Sequence, residues 1–186
     1  MGASLARAAH ALGFTEAEIE RLGLAYALAM EPRIRTLADD HHPAYLHPGR
    51  SPLVLLRDVG PVSLTTLVVA TLHETEDEEL RVAYAQVARE LGEDVAARLE
   101  SLPLPDDARL LERLVTLDEV ARLAALAERL DQLRHAHLRE DWRSRWRAMH
   151  EEAGAVWLPV AERTHPRLAR RFRHWHRAFA RRSRRA

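Results

Sequence analysis

The chain contains no cysteine, no lysine and no asparagine among its 186 residues. The first absence excludes disulfides, thiolate metal ligands and a cysteine nucleophile. The second excludes a lysine Schiff base and leaves arginine as the only permanently charged basic side chain. Net charge is missing as well: 28 basic residues balance 28 acidic ones, so no global field steers the chain to nucleic acid or membrane. No apolar run approaches membrane-spanning length. The opening, MGASLARAAHALGF, lacks the apolar core of a signal peptide and the Ser/Thr at position six of a myristoylation signal. A cytoplasmic location, with neither membrane nor nucleic acid as partner, is the expectation. What is present, 47% hydrophobic and 30% charged residues, belongs to a globular chain of one-domain size.

Helix signals dominate. SLARAAHALG reads as a short amphipathic helix ended by Gly13. TEAEIERLGLAYALAME follows, with Thr15 and Glu18 spaced as a capping box. The stretch from Pro32 to Ser51, rich in His and Pro, reads as irregular. SPLVLLRDVG reads as a helix closed by Gly60, and SLTTLVVATLHE as the buried central helix. DEELRVAYAQVARELG and EDVAARLESL continue the pattern. PLPDD breaks it, and a long helical stretch from Ala108 to Leu138 bends near Thr116. GAVWLPVAERTHP carries Pro159 as a kink. No strand pattern emerges, so the predicted class is all-α.

The stretch VVATLHETEDEELR runs an apolar helix into His73 and a crowd of carboxylates. Part of that crowd complements the positive end of a following helix, which explains two charges better than five. With His47 at a helix entrance and Glu128 on the long helix, His73 and Glu74 make a set of two imidazoles and two carboxylates. Such a set suits Mn²⁺, Fe²⁺, Co²⁺ or Mg²⁺ with positions open for water. The bland alternatives are a hydrogen-bonded core histidine at position 73 and a surface pair of Glu128 with Arg122 or Arg129. His41 and His42 are either extra ligands or part of a solvated loop.

Five segments, YLHP, ATLHETEDEEL, LGEDVAARLESL, LAERLDQLR and WLPVAER, occur in the order and rough spacing of the HD-superfamily hydrolases of the RelA/SpoT type. From about Ala38 to His165 the chain resembles that family, in particular its stand-alone small alarmone hydrolases. The resemblance implies an all-α HD-domain helical bundle over residues 1–165. It also implies one bound divalent metal, Mn²⁺ first, and removal of the 3′-pyrophosphate from guanosine tetra- or pentaphosphate in the stringent response. By the same resemblance His47, His73, Glu74 and Glu128 are the metal ligands. Asp77 and Glu78 orient the attacking water and take its proton. Arg50, Arg129 and Arg134 meet phosphate, and Gln132 contacts nucleotide.

The chain departs from the family's pattern at several of these positions. Glu74 and Glu128 stand where the family has Asp, and Asp77-Glu78 reverses a Glu-Asp pair. Asp131-Gln132 replaces a His-Asn pair, and an acidic, His-rich segment replaces a basic one that contacts the base. An added methylene moves a carboxylate by roughly 1.5 Å, against a tolerance of about 0.2 Å for metal–ligand distances. Either bidentate coordination, a shifted helix or another metal compensates, or the chain is a catalytically degenerate HD-like module that binds nucleotide or a protein partner without hydrolysis.

Residues 166–186 form an Arg-rich C-terminal segment. Leu168, Phe172, Trp175 and Phe179 recur at helical spacing, so the expectation is a helix packed on the domain, its arginines solvated and ARRSRRA frayed. The rival is a binding tail on a helical scaffold.

Overall fold

The computed structural model describes residues 1–37 and 40–183, and among them every regular element is a helix. Helix α1 (Gly2–His10) leads into α2 (Glu16–Thr36). Helix α2 starts where the sequence predicts: the Glu18 amide donates to Thr15 Oγ1 at 3.3 Å, and the Thr15 amide returns a bond to the Glu18 carboxylate at 2.8 Å. It does not stop at Pro32. Leu22, Ala25, Ala29 and Arg33 form one buried face, and its burial carries the helix to Thr36.

Helix α3 (His47–Val54) begins four residues earlier than SPLVLLRDVG suggests, with Pro48 in its first turn, where a missing amide costs nothing. It widens into a π-turn over Leu55–Val59, and Gly60, at φ +106°, reverses the chain as L side chains rarely can. Helix α4 (Leu64–Leu72), capped by Ser63, is buried from Thr66 onward and packs on α2, α3 and α8. It is the expected central helix.

The predicted helix over DEELR is absent: a 3₁₀ turn, Glu78–Leu80, stands there, and α5 (Tyr84–Leu91) starts later. Asp77 caps that turn, accepting from the Glu79 amide at 3.0 Å, so the carboxylates hold a turn and not a helix. Helix α6 (Glu93–Ser101) follows. The long stretch divides into α7 (Leu110–Thr116) and α8 (Glu119–His135), because Asp118 caps α8 by accepting from the Ala121 amide at 2.8 Å. Every residue of α8 from Leu123 to Leu133 is buried.

After two short 3₁₀ turns, α9 (Trp146–Glu152) passes through a π-turn into α10 (Leu158–Thr164). Pro159 sits in the first turn of α10, directly after that π-turn, with helical backbone on both sides of it. Helix α11 (Pro166–Ser183) buries Leu168, Phe172, Trp175 and Phe179 on the same apolar cluster, and the Trp175 indole donates to the Leu133 carbonyl at 2.7 Å. The packed amphipathic helix expected here is therefore present. The last three residues of ARRSRRA lie outside the described residues, as do Ala38 and Asp39 of the His-rich segment. No helix of the described residues is long and apolar enough to cross a membrane.

Candidate functional site

The ends of α3 and α4 and the middle of α8 enclose a group of charged side chains within an otherwise apolar interior. His47, His73, Glu74 and Glu128 are all buried there, as are Arg33, Asp131, Gln132 and Thr75. A cleft opens beside them, lined in part by His47, Arg50, Glu74, Glu76 and Gln132.

His47 is held from α8 by two carboxylates. Its Nδ1 lies 2.7 Å from Asp131 Oδ2, and its Nε2 lies 3.7 Å from Glu128 Oε1. Burial alone would push this imidazole down, but both carboxylates bond and attract its charged form, and the result is a rise to about 9. Asp131 moves the other way: despite burial, contacts with His135, His47 and Arg50 hold it well below the usual carboxylate range. Glu128 is likewise lowered against its own burial, chiefly by His47 and the charge of His73. Its Oε1 accepts from Thr75 Oγ1 at 2.8 Å and from the Gln132 amide. His73 is lowered by burial, and its Nδ1 is buried with no hydrogen-bond partner. An orphaned buried nitrogen is rare and calls for a missing partner.

Glu74 behaves differently. One carboxylate oxygen is bonded by the Arg33 guanidinium, and the other accepts from the Glu76 amide at 2.9 Å and the Asp77 amide at 3.3 Å. The longer side chain at this position reaches α2, and both its oxygens are spoken for by the protein. Arg33 is tied down in turn by the Ala29, Ala44 and Leu80 carbonyls.

Three of the four expected ligands thus match a divalent ion in donor type and burial. His47 presents one nitrogen inward while its other is tied to Asp131, the partner arrangement that orients metal-binding histidines. His73 has an uncommitted nitrogen, and Glu128 lies close to His47 and within electrostatic reach of His73. Glu74 differs in being hydrogen-bonded by the protein at both oxygens, although ligating carboxylates accept such bonds too. As they stand, no three His, Asp or Glu side chains of the described residues are grouped closely enough to hold a metal.

The remaining expected residues divide. Arg50 and Gln132 line the cleft; Arg50 bonds Asp131 at 3.0 Å and the Pro43 carbonyl at 2.5 Å. Arg129 is buried away from the cleft lining, paired with Glu76 at 3.2 Å and Glu152 at 2.8 Å. Arg134 lies outside the cleft lining, bound to Asp58 at 2.7 Å. Asp77 caps its turn and Glu78 is exposed; neither lines the cleft, nor do His41 and His42. Residues not anticipated do line it: His135, Arg139 and Trp142, with the Arg139 guanidinium 4.5 Å above the Trp142 ring. Asp131 and Thr75 were readable in part, since Asp131 follows Glu128 by three residues on one helix face. Arg33 also left a trace, as an arginine in register with Leu22, Ala25 and Ala29. No protein-family model, curated protein or solved structure matches the chain.

Proposed function

We propose that the chain is a metal-dependent phosphohydrolase of the HD type, acting on a nucleotide or pyrophosphate ester, with guanosine 3′,5′-bis(diphosphate) as the first substrate to test. The observation that carries this reading is the placement of His47: Nδ1 anchored by Asp131, Nε2 turned toward Glu128, on the wall of a cleft. His47, His73 and Glu128 are the residues that would hold the cation, Mn²⁺ before Fe²⁺, Co²⁺ or Mg²⁺. When bound, such an ion polarises a phosphoryl oxygen and lowers the pKa of water.

The chain's own residues supply the rest. Asp131 fixes the orientation of the His47 ring, and Thr75 and Gln132 hold the Glu128 carboxylate in place. Arg50 and Arg139 bring positive charge to the cleft, where a phosphate would meet it. His135 donates its Nδ1–H to the Asp131 carbonyl, 2.8 Å away, and is the cleft imidazole placed outside the buried set to exchange a proton. Asp77 and Glu78 have no part in this arrangement.

A second reading is favoured by one observation: the Arg33 guanidinium already supplies a fixed cation within the same polar interior. In that reading the chain is a metal-free HD-like module that binds its ligand without hydrolysis. Incubating chelator-free protein with Mn²⁺ and guanosine tetraphosphate separates the two. Released pyrophosphate supports the enzyme. Saturable nucleotide binding with neither metal uptake nor product supports the module.

A further inference from the structure

Charge is balanced over the whole chain but not along it. Nine of the 28 basic residues fall in residues 166–186, which contain no acid. The preceding residues therefore hold 19 basic against 28 acidic side chains, a net charge of −9, while the C-terminal segment carries +9. Such segregation marks an interaction with a polyanion more often than a folding requirement.

The fold gives that charge a direction. Helix α11 spends its apolar residues on the core and leaves Arg167, Arg170, Arg171, His174 and Arg177 exposed along roughly 15 Å of helix. Beside it runs a groove whose walls include Arg134, His137, Arg171 and His174. Arg134 is shared with a second groove, which continues past the exposed Arg57 to Arg50 and His135. Those two residues also line the cleft at His47. Three depressions therefore join end to end through shared basic residues. Among the described residues, the only carboxylates lining the two outer grooves are Asp58 and Asp131, and both are buried. Asp58 is covered by Arg134 and Arg171, at 2.7 and 2.8 Å.

We infer that this basic track binds a single strand of nucleic acid by its phosphates, with one end of the strand at the cleft. Guanidinium and imidazole groups recurring along the joined grooves, with no exposed acid among the described lining residues, match the repeated charge of a phosphodiester backbone. The apolar face of α11 is already buried, so none is left to insert into a membrane interface. Trp175 and Phe179 are buried as well, so recognition rests on phosphate contacts and is indifferent to base sequence. The inference concerns binding and holds whether or not a metal occupies the cleft.

The test uses the full chain and a fluorescein-labelled oligouridylate of about 15 nucleotides, within the usual span of such sites. Anisotropy should show saturable binding at about 50 mM salt that weakens at least tenfold at about 200 mM. Arg170→Glu/Arg177→Glu and, separately, Arg57→Glu should each weaken binding severalfold while melting temperature and metal uptake stay unchanged. Absence of binding at the lower salt overturns the inference, as does wild-type affinity in either variant. Equal affinity for polyglutamate of the same length would assign the track to an acidic protein instead. Salt-sensitive self-association, lost in the Arg170/Arg177 variant and unaccompanied by oligonucleotide binding, would assign it to a second copy of this chain.

Discussion

Arg33 and Glu74 meet inside the molecule as a buried ion pair between α2 and the end of α4, each only a few per cent exposed. Neither side chain has water to fall back on, so the pair stabilises the fold only while both members are present. Removing one partner of such a pair costs about 3–5 kcal/mol, whereas replacing both with apolar residues is often close to neutral. Glu74→Met and Arg33→Met should each lower stability by about that amount, and Arg33→Met/Glu74→Met by clearly less than the sum. Urea denaturation of the four proteins measures the cycle. Additive losses would mean that the two side chains act independently.

Metal affinity should separate Glu74 from the residues around it. Titration calorimetry with Mn²⁺ should show affinity within a few-fold of wild type for Glu74→Gln. His47→Gln, His73→Gln and Glu128→Gln should each lose measurable binding. A folded Glu74→Gln protein that binds no Mn²⁺ would restore the four-ligand set that the sequence resemblance implies.

Asp131 should act on the metal through His47. The 2.7 Å contact with Nδ1 fixes which nitrogen is turned toward Glu128, and loss of such an orienting carboxylate typically costs about 10–100-fold in metal affinity. Asp131→Asn is expected in that range, with a parallel fall in the pH at which His47 titrates, followed by NMR. An unchanged affinity would remove Asp131 from the site.

The pH dependence of stability has a definite sign. His47 is raised in the folded chain to about 9, from its ordinary value of 6.5. Its contribution is therefore fully present below pH 6.5 and is lost as pH rises through about 9. Asp131 is depressed, so its contribution is present above its unfolded value and is lost as pH falls toward the folded one. Without metal, the melting temperature should fall between pH 6.5 and 9, and the slope should flatten in His47→Gln. Because a metal needs the neutral imidazole, Mn²⁺ uptake near neutral pH should release about one proton from His47, measurable by calorimetry in buffers of different ionisation enthalpy.

Much of this architecture was legible before any coordinates. Thr15, Gly60, the apolar stretch to Leu72 and the face of α11 are local signals, and each names its own helix. The carboxylates after His73 misled, because caps for a tight turn and acids for a helix start use the same residue types. Pro32 misled for another reason: the buried face ending at Arg33 outweighs the proline's local preference. The site was legible as a set of residue types, but not in its pairings. Arg33 with Glu74, His47 with Asp131 and Arg129 with Glu76 join positions 41, 84 and 53 residues apart, which no spacing rule in one segment connects. The phosphate residues show the same limit. Arg50 and Arg134 look equivalent in the sequence, yet α3 turns the first to the cleft while the second, bound to Asp58, is not among the residues that line it.

The claim that His47, His73 and Glu128 together hold one cation is tested most directly by elemental analysis of protein purified without chelator and then dialysed against Mn²⁺. About one Mn per chain in the wild type, and none in a folded His73→Gln variant, is the predicted result. A wild-type chain that takes up no metal, or a His73→Gln chain that takes up as much as wild type, would contradict it.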